Sequence, residues 1–128
     1  MNQPKQTRAV ITVTPLPPAS GNEIECDISG TDVIDDAIYL DRSRDYLLAF
    51  QLDEHGSYQW DRGDPFSARN GKCPKPNKPG NGRYKVASCT DHLLEVTARG
   101  PSLPKKEVVH YRLNFAGGIT CDPIIIRD

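Results

Sequence analysis

The chain has 128 residues, 26% of them charged, and a formal net charge of −1. This balance provides no bulk attraction to nucleic acid or to an anionic membrane surface, so we expect neither as a partner. No stretch approaches the roughly 20 apolar residues that cross a bilayer, and a chain of this length can bury one core as a single domain.

Short segments in which apolar and polar side chains alternate follow one another from Arg8 to Ile126. A period of two predicts β-strands, because an extended backbone sends successive side chains to opposite faces. In chain order the predicted strands are Arg8–Thr14, Glu23–Ser29, Tyr46–Asp53, Ser57–Asp61, Tyr84–Cys89, Leu93–Ala98, Val108–Phe115 and Ile119–Ile126. The acidic segment Thr31–Arg44 is irregular and is compatible with a short strand or one helical turn.

Several positions predict how these strands are arranged. Tyr46–Asp53 is apolar on both phases, which is typical of a central strand covered on both faces, and Ser57–Asp61 is expected to be its hairpin partner. Gly117-Gly118 predicts a tight hairpin, since glycine adopts positive φ without cost. Pro123 makes the last strand an edge strand or a bend. The aromatic side chains are expected in the core: Tyr46, Phe50, Tyr58, Trp60, Tyr111 and Phe115.

Seven to eight strands spaced by about ten residues predict an all-β fold, either a two-sheet antiparallel sandwich or a small barrel. We favour the sandwich, with an immunoglobulin-like arrangement. Residues 1–128 are expected to form one domain in which residues 1–7 are disordered and residues 64–83 form a long basic loop.

The segment Pro65–Thr90 is rich in basic residues and contains no carboxylate. Ammonium and guanidinium groups bind anions, and Phe66 and Tyr84 at its ends could stack on a ligand. We therefore predict a binding module that contacts a protein or a small anionic ligand. The alternative is a solvated loop that only maintains solubility, which is the commoner meaning of such a run. The candidate ligand-binding residues are Arg69, Lys72, Lys75, Lys78, Arg83 and Lys85.

Four cysteines allow three pairings. Cys73 and Cys89 bracket a loop with few apolar residues and are the candidate disulfide, which chain-entropy estimates value at about 3 kcal/mol. Cys26 and Cys121 lie on inward phases of their strands and are predicted to be small buried side chains. No secretory leader is visible, so reduced cysteines and a cytoplasmic location are the default expectation, unless the chain is processed.

Other motifs have simpler explanations. The tripeptide Arg62–Asp64 occurs in adhesion ligands, but three residues recur by chance. The aspartates of residues 32–45 offer oxygen ligands of the kind that calcium prefers, but turn chemistry and pairing with the neighbouring arginines explain them better. The scattered histidines, His55, His92 and His110, and the absence of a nucleophile-elbow context predict no enzyme, with a small hydrolase or metal enzyme as the least favoured alternative. Cysteine spacing predicts no metal or other cofactor.

A structural role is the alternative to ligand binding. In it, edge strands such as Arg8–Thr14 or Ile119–Ile126 would pair between chains. We expect a monomer or a weak dimer.

Short motifs from Tyr46 onward include Phe50-Gln51-Leu52, Asp64-Pro65, Cys73-Pro74, Ser88-Cys89, Tyr111-Arg112-Leu113-Asn114-Phe115 and Asp122-Pro123. In their order they resemble small uncharacterised bacterial β-sandwich proteins with an immunoglobulin-like fold. The resemblance covers about two-thirds of the chain and implies a single bacterial sandwich domain, without an activity.

Overall fold

A computed structural model describes residues 7–16, 24–41, 44–53, 58–70, 84–99, 107–121 and 123–127, with the backbone alone described at 68–70, 107, 124 and 127. Over these residues the protein is all-β, which confirms the predicted class. Its strands are β1 (Thr7–Pro15), β2 (Cys26–Gly30), β3 (Val33–Ile34), β4 (Ala37–Leu40), β5 (Tyr46–Leu52), β6 (Phe66–Asn70), β7 (Tyr84–Cys89), β8 (Leu93–Ala98), β9 (Glu107–Phe115), β10 (Ile119–Cys121) and β11 (Ile124–Arg127). None of these residues belongs to a helical segment with the length and hydropathy that a membrane crossing requires.

The strands form two sheets. Sheet A has the order β2-β1-β5-β8-β7, and sheet B has the order β10-β9-β11-β4-β3 with β6 also paired to β9. The registers place β10 and β11 in succession along one side of β9, with Pro123 between them, and β6 along the other side. Within the described ranges, β2 and β7 are therefore the edges of sheet A, and β3 and β6 are edges of sheet B.

Two strand pairs are parallel: β1 pairs with β5, and β11 pairs with β4. The prediction of a purely antiparallel sandwich is wrong for these pairs. Parallel neighbours require a long crossover, and here the chain between β1 and β5 passes through β2 in sheet A and then β3 and β4 in sheet B. Side-chain alternation carries no information on strand direction, so it could not reveal this.

Several predicted boundaries also differ from the structure. The neighbours of β5 are β1 and β8, so Ser57–Asp61 is not its hairpin partner. Within that segment, the described residues form one isolated bridge, from Trp60 to Phe115. The irregular segment Thr31–Arg44 contains β3 and β4. The structure has eleven described strands where seven to eight were predicted. The additional strands are short, and too few residues alternate between apolar and polar in them to predict a strand.

Two further expectations concern segments predicted to lack regular structure. Thr7 already belongs to β1, and the rest of the predicted disordered segment, residues 1–6, lies outside the described residues. The predicted basic loop 64–83 begins with strand β6, which pairs with β9. Residues 71–83 of that loop lie outside the described ranges.

The core lies between the two sheets and follows the predicted alternation. On β1, for example, Ala9, Ile11 and Val13 are buried while their neighbours are more exposed. Trp60 and Phe115 stack in this core with ring centroids 5.1 Å apart. The predicted aromatic core is confirmed, although Tyr58 is only partly buried against it. The sheets approach each other along both edges, where β2 contacts β3 and β6 contacts β7.

Two local predictions are confirmed. β5 is the central strand of sheet A, although its outer face is not covered as predicted, since Gln51 is exposed and Leu47 half-buried. Gly117 and Gly118 form the β9–β10 hairpin with φ of 92° and 77°, in the left-handed region that favours glycine.

Candidate functional site

The structure describes only part of the predicted basic site. Lys72, Lys75, Lys78 and Arg83 lie outside the described residues, and Arg69 is described only by its backbone in β6. Lys85 is exposed on β7. The structure therefore places one of the six candidate side chains at the surface and leaves the grouping of the six a prediction.

The aromatic residues near the two ends of the basic loop are in contact. β6 forms the first part of the predicted loop 64–83 and β7 follows the loop directly, and the two strands are edges of different sheets. Phe66 opens β6 and Tyr84 opens β7, and their rings pack at a centroid distance of 6.3 Å. Both side chains are only 7% exposed. The prediction that these rings stack on a ligand is therefore wrong, because they belong to the core.

The candidate disulfide cannot be placed, because Cys73 lies outside the described residues. Cys89 is a half-buried free cysteine at the end of β7 whose thiol donates to the Thr90 carbonyl at 3.5 Å. Burial raises the pKa of Cys89, while the positive charge of Arg62 opposes that shift. The Cys73–Cys89 pairing stays a prediction.

The other two cysteines meet where the sheets come together. Cys26 begins β2 and Cys121 ends β10, and their Sγ atoms lie 2.6 Å apart although 95 positions separate them in the chain. The main-chain N–H of Ile24 donates to the Thr120 carbonyl at 2.9 Å, which ties the approach to β2 onto β10. Cys121 is 3% exposed, as predicted, whereas Cys26 is half-buried.

A cleft of about 440 Å³ lies beside this cysteine pair. Its lining combines the two thiols with carboxylates and, among the described residues, contains no Lys or Arg. We call it the acidic cleft, and the residues that line it are Ile24, Glu25, Cys26, Asp27, Asp35, Asp36, Cys121 and Pro123.

The turn between β3 and β4 forms one wall of the acidic cleft. Asp35 and Asp36 both have positive φ, 49° and 63°, the pattern of a two-residue hairpin turn that matches strand twist. Asp36 Oδ1 accepts the main-chain N–H of Ile28 at 3.0 Å, so the turn is attached to β2. The prediction that these two aspartates serve turn chemistry is confirmed. In the described part of the chain, no three potential ligands are grouped to hold a metal ion.

Tyr111 is a buried polar residue that interacts electrostatically with the acidic cleft. It is fully buried, and its hydroxyl has no hydrogen-bond partner among the described residues. Burial raises the pKa of Tyr111 well above its ordinary 10.0, and the charges that Cys121, Cys26 and Asp36 carry when ionised add to the shift. Its hydroxyl therefore stays protonated and neutral.

The adjacent thiols are suited to dithiol chemistry. A disulfide bond is about 2.05 Å long, and the two sulfurs already lie 2.6 Å apart. Side-chain alternation indicates the inward phase of both cysteines but carries no information on which strands meet.

The remaining predicted motifs have local structural roles. Arg62-Gly63-Asp64 forms an exposed turn held by Asp61, whose Oδ1 accepts the N–H of Gly63 at 3.0 Å. His92 is exposed, and His110 is half-buried between two inward neighbours, so it lies on the outward phase as predicted. His55 lies outside the described residues.

A scan against models of known protein families finds no match to this chain, and a search of curated proteins finds no similar sequence.

Proposed function

We propose that the protein is a non-catalytic binding module that uses the basic loop 64–83 to contact a protein or a small anionic ligand. Binding residues concentrate on loops that a rigid scaffold positions. Here Phe66, near the start of the loop segment, and Tyr84, directly after its end, pack against each other in the core between two sheets. This contact is the observation that supports the proposal, together with the exposed Lys85 beside it.

Charge reversal of the loop tests this proposal. The triple variant Lys72→Glu, Lys75→Glu, Lys78→Glu should elute from a heparin column at clearly lower salt than the wild-type protein, because it loses cations where the polyanion binds. A matched control, Lys5→Glu, Lys105→Glu, Lys106→Glu, makes the same change in net charge elsewhere in the chain. It should elute at higher salt than the loop variant. Equal elution of the two triple variants would contradict a role for the loop.

Self-association is a second candidate, and the outer face of sheet B favours it. The registers align Tyr39 with Ile126 and Ile126 with Val108, so the three side chains share one face. Tyr39 is 40% exposed and Val108 is 38% exposed. Ile34, on the same face at the β3 edge, is 61% exposed. Contiguous apolar surface of this kind is typical of protein contacts.

This candidate differs from the predicted pairing of edge strands. β1 lies between β2 and β5, and β11 lies between β9 and β4, so neither is an edge. β10 hydrogen-bonds through Thr120 to Ile24 and is partly covered. Contact through the face of sheet B needs no open edge.

Light scattering at increasing protein concentration measures this association. The wild-type mass should rise above the monomer value of 14.2 kDa, and Tyr39→Lys with Val108→Lys should return it to that value. Val10→Lys with Val86→Lys changes two exposed valines of sheet A and serves as the control. A wild-type mass of one monomer at every concentration would exclude this candidate.

The immunoglobulin-like arrangement and the relationship to bacterial sandwich proteins stay predictions. The short motifs support them, as does an architecture of two packed sheets.

A further inference from the structure

Cys26 and Cys121 are in contact but differ in their exposure to solvent. Cys26 is half-buried and Cys121 is 3% exposed, and both line the acidic cleft. Small molecules in the cleft therefore reach Cys26 more readily than Cys121. Reactive thiols require such access, whereas buried thiols react slowly with external reagents.

The two thiols belong to different sheets, so a bond between them would join the sandwich covalently. The pairing of Ile24 with Thr120 holds the two backbones in place beside the sulfurs. A disulfide forms only where backbone geometry already brings the side chains together. The two sulfurs already lie 2.6 Å apart, about 0.5 Å beyond the length of a disulfide bond.

We propose that the acidic cleft is a thiol–disulfide exchange site at which a small, cationic disulfide oxidises Cys26 and Cys121 to a bridge between the sheets. The thiolate of Cys26 attacks one sulfur of the small disulfide, which releases one small thiolate and leaves a mixed disulfide on Cys26. The thiolate of Cys121 then attacks Cys26 Sγ and releases the second small thiolate. Two protein thiols are oxidised, one small disulfide is reduced to two thiols, and the two protons pass to those products.

Charge determines the class of oxidant. Four of the residues that line the cleft carry a carboxylate: Glu25, Asp27, Asp35 and Asp36. They attract an ammonium-bearing disulfide and repel a carboxylate-bearing one. Salt screens such interactions over a Debye length of about 10 Å at 0.1 M ionic strength, so the preference must weaken as salt is added.

The exchange can be followed in a Cys73→Ser, Cys89→Ser background, which leaves only the proposed pair. Treatment with cystamine, a dication, should remove both thiols, and peptide mass spectrometry should recover residues 26 and 121 in one cross-linked species. At low salt, cystamine should react about tenfold faster than anionic glutathione disulfide. The two rates should approach each other at 1 M salt.

Single-cysteine variants in the same background separate the two roles. Cys121→Ser should accumulate a stable mixed disulfide of cystamine on Cys26, whereas Cys26→Ser should leave Cys121 slow to react in the folded protein. If Cys121 reacts as fast as Cys26, the assigned order of attack is wrong. If cystamine yields no cross-linked species, the exchange site itself is wrong.

A second variant tests the charge preference without touching a cysteine. Glu25→Gln with Asp27→Asn should reduce the advantage of cystamine over glutathione disulfide when both rates are divided by the rate with neutral hydroxyethyl disulfide, which reports the intrinsic reactivity of the thiols. The control is Asp91→Asn, which changes an exposed carboxylate outside the cleft lining. An unchanged preference in the double variant would contradict electrostatic selection by the cleft. None of these outcomes depends on the basic loop.

Discussion

Arg8 and Glu95 form an ion pair on the outer face of sheet A, with Arg8 Nη1 lying 2.7 Å from Glu95 Oε2. Arg8 belongs to β1 and Glu95 to β8, so the pair spans the intervening strand β5. Ser88 of β7 adds a hydrogen bond of 2.8 Å to the other carboxylate oxygen. The network connects three strands through one carboxylate.

The network should make the stability of the fold depend on pH in the acidic range. The hydrogen bond from Ser88 lowers the pKa of Glu95 below its ordinary 4.5, and Arg8 lowers it further. A carboxyl group whose pKa is lower in the folded than in the unfolded state stabilises the fold at pH values above its unfolded-state pKa. That contribution is lost as the pH falls through the folded-state pKa. Glu95→Gln should therefore have a slightly lower Tm than wild type at pH 7, and the difference should shrink at pH 3.

Thermal unfolding followed by circular dichroism at the two pH values measures this effect. Glu25→Gln changes an exposed carboxylate outside the network and should leave the wild-type pH response intact. A Tm difference between Glu95→Gln and wild type that is as large at pH 3 as at pH 7 would show that the ion pair does not cause it.

Tyr111→Phe should not destabilise the protein at neutral pH, although it changes a fully buried residue. The Tyr111 hydroxyl has no partner among the described residues, so removing it should stabilise the fold by between zero and about 1 kcal/mol. Chemical denaturation measures the change, and the half-buried Tyr58→Phe is the control. A loss above about 1 kcal/mol would indicate that the hydroxyl has a bonding partner after all.

The same variant should respond differently to alkaline pH. The pKa of Tyr111 is raised in the folded state, so above its ordinary 10.0 the hydroxyl ionises in the unfolded chain before it does in the folded protein, and stability is lost as pH rises beyond that value. Wild type should therefore lose stability above pH 10 more steeply than Tyr111→Phe. Stability can be measured for both proteins between roughly pH 9 and 11. Parallel curves would show that ionisation of Tyr111 does not cause the loss of stability.

Asp35 and Asp36 should differ in what their side chains contribute. Both have positive φ, so alanine at either position adds backbone strain of about 1–2 kcal/mol relative to a residue that tolerates that region. Asp36→Ala also removes the acceptor of the Ile28 N–H and should cost about 1 kcal/mol more than Asp35→Ala. Urea unfolding measures both, and Asp36→Asn, which keeps an acceptor oxygen, should lie close to wild type.

Gly30 should be sensitive to substitution because of its close packing against β1. A Cβ at this position would lie 2.6 Å from the carbonyl oxygen of Val10, and a backbone atom cannot move aside cheaply. Gly30→Ala should therefore destabilise the protein by about 1–3 kcal/mol. Gly63→Ala, whose Cβ would meet only Asp61 at 3.5 Å, should have little effect. Equal unfolding free energies for the two variants would contradict the packing argument.

Local features of the fold could be predicted from the sequence because backbone geometry determines them residue by residue. Alternation identifies the buried phase of β1 and β8, and paired glycines identify the β9–β10 hairpin. The inward phase of Cys121 follows from the same rule. Each of these properties depends on a few consecutive residues.

Only the tertiary structure decided which strands are neighbours. The parallel pairs β1–β5 and β11–β4, and the contact of Cys26 with Cys121 across 95 positions, depend on how the chain crosses between the sheets. A strand with one apolar face can pair in either direction and beside several partners with the same alternation. The choice depends on packing the whole core at once, so the acidic cleft could not be identified before the sheets were assembled.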